Sequence, residues 1–165
     1  MKARLFYKKF MYIRQFELYQ NVYSWYYIHM NTNSTTYRRT ATTVSFINYH
    51  FVFCPARRRK IFDIPGIEER FKELTSEICA EMDIQILAME CHHDHVHLFV
   101  SALPQISIPD IMNTIKGTTS VKLRQEFPAL ARRTGLWTRS YFVSTAGNVS
   151  AETIQHYVET QKTRD

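Results

Sequence analysis

Glu90-Cys91-His92-His93-Asp94-His95-Val96-His97-Leu98-Phe99-Val100 sets four histidines and two acids directly against an apolar run. Val96, Leu98 and Val100 alternate with His95, His97 and Phe99, the period-two pattern of a strand whose successive side chains point to opposite faces. The aliphatic face calls for a covering layer, and the other face carries His95 and His97 side by side. The preceding run Ile84-Gln85-Ile86-Leu87-Ala88-Met89 reads as a second strand, and His92-His93-Asp94 falls where a turn would join the two into a hairpin. Three chemistries fit such a cluster: histidines hydrogen-bonded in a surface turn, a metal held by the pair at i and i+2, or a zinc site that recruits Cys91. The zinc site lacks a second Cys/His cluster and any Cys-x-x-Cys spacing with which to close a tetrahedron.

Upstream of the hairpin, Ile47, Tyr49, Phe51 and Phe53 alternate with Phe46, Asn48, His50 and Val52, so residues 44 to 53 are expected to form one long strand. Cys54-Pro55 ends it, because proline has no N–H to give to a ladder. Arg57-Arg58-Arg59-Lys60 follows at once, either as a phosphate-binding loop or as a solvated basic turn. Pro65-Gly66 then opens a helix in which Ile67, Phe71, Leu74, Ile78 and Met82 recur at three- and four-residue spacing, an amphipathic cover for a sheet.

Downstream, a second helix is expected from about Pro109 to Phe127, with Lys116-Gly117-Thr118-Thr119-Ser120 interrupting its middle. That glycine either lets a phosphate approach the backbone beside Lys116 or is simply tolerated in the helix. Leu136 to Thr145 reads as a last strand, and Ser150 as the N-cap of a terminal helix in which Tyr157 and Gln161, four apart, project from the same side. The order strand, helix, strand, strand, helix, strand predicts an α+β fold: a ferredoxin-like split βαβ arrangement, its antiparallel sheet covered on one face by two helices, with a C-terminal helix appended. The other sheet face, bearing His95, His97 and aromatics, is expected to lie open as a platform for single-stranded nucleic acid.

Residues 1–36 stand apart: aromatics crowd them on every side of any helix drawn through them, and they read as an N-terminal extension to a domain spanning 37–165. The chain of 165 residues carries a formal charge of +6 and 14% aromatics, which suits a polyanionic partner that can be neutralised and stacked upon. Cys54, Cys79 and Cys91 are odd in number and scattered, which points to reduced thiols in the cytoplasm. No run approaches the ~18 apolar residues of a membrane span, so no membrane partner is expected.

Asn48-Tyr49-His50-Phe51-Val52-Phe53-Cys54-Pro55, Asp94-His95-Val96-His97-Leu98, Tyr141-Phe142-Val143-Ser144-Thr145 and Tyr157-Val158-Glu159-Thr160-Gln161 together resemble, in order and spacing, the single-tyrosine transposases of IS200-like insertion sequences. The resemblance runs from about Tyr37 to Lys162. It implies a histidine-hydrophobe-histidine nuclease that cuts and rejoins single-stranded DNA, recognises a subterminal hairpin and works as a homodimer that exchanges its C-terminal helices. By position, His95, His97 and Gln161 would hold the metal, Mg2+ or Mn2+, and Tyr157 would be the nucleophile. Arg57, Arg58, Arg59, Lys60 and Lys116 are the candidate DNA contacts. Two related readings are a tyrosine nuclease of dispersed palindromic repeats and a non-enzymatic nucleic-acid-binding module of the same fold. The chain departs from the family pattern at His93, where proline is usual, and at Thr138-Arg139, where serine-proline or similar is common; on this reading His92 and His93 are turn residues outside the site.

Overall fold

The computed structural model describes residues 37–132 and 134–146. The expected N-terminal extension and the expected terminal helix with Tyr157 and Gln161 lie outside the described residues. The main sheet has four antiparallel strands, β3 (Asn48–Phe53), β4 (Gln85–His92), β5 (His95–Ser101) and β6 (Phe142–Ala146), in the order β4-β5-β3-β6. Helix α1 (Ile67–Glu81) connects β3 to β4, and α2 (Ile108–Glu126) lies between β5 and β6. Because β5 sits between β3 and β4, the first crossover is a split βαβ, and the α+β ferredoxin-like order is the one expected from the sequence.

Both helices follow their sequence signals. Gly66 caps α1 with a φ of 83°, a left-handed conformation that costs a side-chain-bearing residue steric energy, so glycine belongs there. Ile67, Phe71, Leu74 and Ile78 form its buried stripe. Ser107 caps α2, its Oγ accepting from the Asp110 N–H and donating to the Asp110 carboxylate at 2.6 Å. The helix continues through Gly117 without a break, and a Cβ there would meet nothing within 4 Å; the glycine is tolerated on an open face rather than required.

The core is the layer between these helices and one sheet face. Phe51, Phe53, Val96, Leu98 and Val100 point into it and meet Phe71, Ile111, Met112, Ile115 and Leu123. Each fully buried side chain of this size contributes ~1.5–3 kcal/mol of apolar transfer energy. Trp137 wedges against Phe53 and Phe71, and its indole N–H donates to Thr119 Oγ1 at 2.9 Å, so the one polar atom it brings to the core is satisfied.

Three expectations are corrected. The strand read over residues 44–53 is two: β2 (Val44–Ser45) pairs with β1 (Arg38–Arg39) in a small separate sheet, and β3 begins only at Asn48, where Ser101 and Ala146 become its neighbours. Periodicity runs through the junction because both pieces are extended; the change of partner leaves no local mark. The final strand is likewise short, since Leu136–Thr138 is drawn to the Cys54–Ala56 segment by Ala56 N–H to Leu136 O and Thr138 N–H to Cys54 O, with a single bridge at Pro55. A proline without an N–H cannot carry that pairing further. Between the second helix and the Leu136–Thr138 segment the chain also forms a short helix, α3 (Pro128–Ala131). Finally, the sheet face expected to lie open is closed over at its centre: His50, His97 and Phe99 keep 1%, 2% and 6% of their exposure.

Candidate metal centre

The hairpin of β4 and β5 turns in two residues, His93 and Asp94. His92 is therefore the last residue of β4, directly opposite His95, and not part of the turn. This corrects its expected place, and the reason is geometric: a two-residue turn needs only one residue more than Asp94, so pairing reaches one position further down than the cluster of polar residues suggested. Register then sets Glu90 opposite His97, and His50 of β3 opposite Phe99. One sheet face gathers His50, Glu90, His92, His95 and His97.

The ligand atoms of His92, His95 and His97 all lie within 4.8 Å of one another. His95 and His97 approach at 5.1 Å between ring centres, with planes inclined by 71°. His92 stacks on His95 at 4.5 Å with planes 1° apart. Imidazole lone pairs lie in the ring plane, so two parallel, stacked rings cannot both aim at one ion; His92 has to turn before it can join His95 as a ligand.

Each of the two strand histidines has its Nδ1 engaged. His95 Nδ1 lies 2.8 Å from Asp94 Oδ1, and Asp94 is gripped in turn by the Arg58 guanidinium, at 2.8 Å from Nε and 3.2 Å from Nη2. His97 Nδ1 lies 3.0 Å from His50 Nε2, and the His50 ring is stacked on Phe99 at 4.0 Å. The buried Nε2 of His97 has no hydrogen-bond partner among the described residues. A buried polar atom left without a partner costs ~1–3 kcal/mol, so this nitrogen and its neighbours fit a bound divalent cation.

The family profile described as "Transposase IS200 like" matches residues 43–161. The chain belongs to the IS200-like transposase family. The IS200 transposase of Salmonella typhimurium is 33% identical over 121 residues, covering 71% of this chain and 78% of that protein. Among solved structures, the crystal structure of a putative transposase from Deinococcus radiodurans superposes with a TM-score of 0.62 at 27% identity, covering 75% of this chain and 97% of that one. A REP-associated tyrosine transposase bound to a REP hairpin shares the fold at a TM-score of 0.52 and 12% identity, covering 76% of this chain and 69% of that one.

Of the residues singled out in this IS200-like transposase, the structure brings His95 and His97 together and adds His92. Arg58 is turned onto Asp94, and Lys116 Nζ donates to the carbonyls of Arg139 and Ser140 at 2.9 and 3.4 Å, so both cations have protein partners. Arg57 and Lys60 are exposed. Arg57 and Arg58 stand successively at φ 63° and 51°, left-handed backbone that costs ~1 kcal/mol or more per residue. His50 was not singled out in the sequence, although its place in the alternation of β3 put it on the histidine face; a lone imidazole in an aromatic strand carries no distinguishing pattern. His93, in the turn, is paired with Asp63 outside the cluster.

Burial governs the charge of the site. Desolvation lowers His50 to about 3 and His97 well below its ordinary value, the latter helped by the neighbouring imidazoles. Desolvation also lowers His95, against the opposing pull of Asp94. Burial alone would raise the Asp94 carboxyl, but hydrogen bonds from Arg58 and His95 outweigh it and hold it below the usual range. His95 and His97 are thus neutral and able to ligate at neutral pH.

A stability consequence follows. Below pH 6.5 the unfolded chain takes up protons that the folded chain refuses at His50 and His97, so stability falls as pH is lowered from 6.5 toward about 3 and is flat on this account above 6.5. Each histidine kept neutral adds up to ~1.4 kcal/mol per pH unit in that window. Urea unfolding of the chelator-treated protein at pH 7.0, 6.0 and 5.0 measures it, and a stability that does not decline over that range contradicts the buried, neutral pair.

Proposed function

We propose that this IS200-family transposase cleaves and rejoins single-stranded DNA at insertion-sequence ends through a 5′-phosphotyrosine intermediate. The observation that supports it best is the convergence of His95 and His97 at the head of the hairpin, each with Nδ1 engaged. His95 and His97 with Gln161 are the proposed ligands and Tyr157 the proposed nucleophile. Two imidazoles and an amide oxygen suit Mg2+ or Mn2+, with water and phosphate oxygens completing the shell. When bound, that ion supplies Lewis-acid stabilisation of the charge developing on the scissile phosphate.

Tyr157 Oη attacks phosphorus and gives up its proton; the bond from phosphorus to the 3′ oxygen breaks, and that oxygen leaves as a protonated 3′-hydroxyl. A phenol with a pKa near ~10 is a weak nucleophile at pH 7, which is why the phosphate must be activated. The phosphotyrosine retains the ester's energy, so the 3′-hydroxyl of another strand can reverse the step and join new ends without ATP. Recognition of a subterminal hairpin, a homodimer with exchanged C-terminal helices, a cytoplasmic setting, and residues 1–36 as an extension to a domain of 37–165 complete the proposal. Among the described residues no helix is long and apolar enough to cross a membrane.

Incubation of the full chain with hairpin-bearing single-stranded DNA and Mg2+ should give a covalent protein–DNA adduct on a denaturing gel. Hairpin binding with no adduct would favour a non-enzymatic nucleic-acid-binding module instead. Arg57, Arg58, Arg59, Lys60 and Lys116 remain the proposed DNA contacts, with the exposed Arg57 and Lys60 best placed to meet phosphates. Affinity should therefore fall as salt rises, and the slope of log K on log salt should shrink by ~0.7 for each phosphate that a variant no longer neutralises. Fluorescence anisotropy titrations of Arg57→Gln and Lys60→Gln across salt concentrations read this, and slopes equal to that of the unmodified chain would remove those two from the interface.

A further inference from the structure

We propose that His50 and the Asp94–Arg58 pair are positioning residues that hold His97 and His95 in the Nδ1–H form, so that Nε2 of each is the nitrogen left to bind a cation. The inference rests on the reading of His95 and His97 as metal ligands, and it is carried by two separate contacts. Asp94 is a carboxylate with Arg58 clamped across it, and it can only accept from His95 Nδ1. A neutral imidazole carries one hydrogen, so a hydrogen on Nδ1 leaves the lone pair on Nε2.

His50 performs the same service for His97 from the central strand. It is 1% exposed, fixed by its stack on Phe99, and holds Nε2 3.0 Å from His97 Nδ1. Of the two ways to place the hydrogen between them, donation from His97 Nδ1 leaves a lone pair on His97 Nε2. The opposite choice puts the hydrogen on His97 Nε2 and removes the lone pair a cation would need, so donation from His97 Nδ1 is the arrangement compatible with His97 as a ligand. Free imidazole side chains favour the Nε2–H form, so both ligands need an outside partner to reverse that preference. A ligating histidine whose other nitrogen is held in this way binds its metal more tightly, typically by 10–100-fold.

The backbone at Arg58 agrees with such a role. Two successive left-handed residues bring its guanidinium across 36 positions of sequence onto Asp94, and nonglycine residues keep that conformation where surrounding contacts enforce it. Arg58 on this view acts on His95 through Asp94.

The test uses the full chain, histidine-labelled with 15N and stripped of metal by chelator, with long-range 1H–15N correlation reading which nitrogen of each ring carries the hydrogen. His95 and His97 should both be Nδ1–H. Asp94→Ala should return His95 alone to the Nε2–H form, and His50→Phe, which keeps an aromatic ring on Phe99, should return His97 alone. His50→Gln, whose amide oxygen can accept, should restore Nδ1–H at His97. Mn2+ affinity, measured by electron paramagnetic resonance, should fall 10–100-fold in Asp94→Ala and His50→Phe and recover in His50→Gln. An Nε2–H form at either ligand in the unmodified chain, or tautomers unmoved by both variants, would overturn the proposal. A chain with the stated tautomers and variant responses that binds no Mn2+ would support the positioning assignment and count against the metal reading, so the two failures are separable.

Discussion

Tyr157→Phe is expected to abolish the covalent adduct with hairpin DNA while leaving hairpin affinity within about twofold, because the change removes one hydroxyl and no charge. A covalent intermediate cannot form without the attacking oxygen, so the loss should be complete rather than partial. The measurement is a denaturing gel after incubation with Mg2+, alongside an anisotropy titration of the same preparation. An adduct of undiminished yield in the variant would move the nucleophile elsewhere in the chain. The residue lies in the matched span of residues 43–161, four positions before Gln161 at the end of that span.

His97→Ala is expected to lower cleavage by roughly 10²-fold or more, since metal stabilisation of a phosphoryl transition state is worth several kcal/mol and each ~1.4 kcal/mol is tenfold in rate. The loss should be only partly relieved by raising Mn2+, because the variant also strands His50 Nε2, its partner across β3 and β5. Two further variants identify the third ligand. If Gln161 holds it, Gln161→Ala should weaken Mn2+ binding and His92→Ala should not; the reverse result would mean that His92 turns away from its stack on His95 and completes a site of three imidazoles. Three nitrogen donors would also move the preference from Mg2+ toward Mn2+ and heavier ions. Cleavage unaffected by His97→Ala would end the metal assignment.

Much of this was legible in order along the chain. Two amphipathic helices, the hairpin and the alternation that puts His95 and His97 on one face are local patterns, written at spacings of two and of three to four residues. The α+β split βαβ order follows from them because few topologies accommodate strands and helices in that sequence with short connections. The pair at His95 and His97 stood out for the same reason: two ligand-type residues at i and i+2 are visible without knowing what surrounds them.

What surrounds them was decided only by the tertiary structure. His50 meets His97 across 47 residues, and Arg58 meets Asp94 across 36, separations over which no periodicity operates. Arg58 therefore read as one of four interchangeable cations, and folding distinguished it by the carboxylate it faces. His92 changed from turn to strand because register, not residue type, fixes where pairing stops. The face expected to be an open platform proved to be closed at its centre, since burial is a property of the assembled layers and cannot be read from any one strand. The sequence by itself determined which residues could form a metal pair and on which face. Tertiary contact decided which of their nitrogens is engaged, since a hydrogen bond between strands depends on register and distance, and neither is recorded in local spacing.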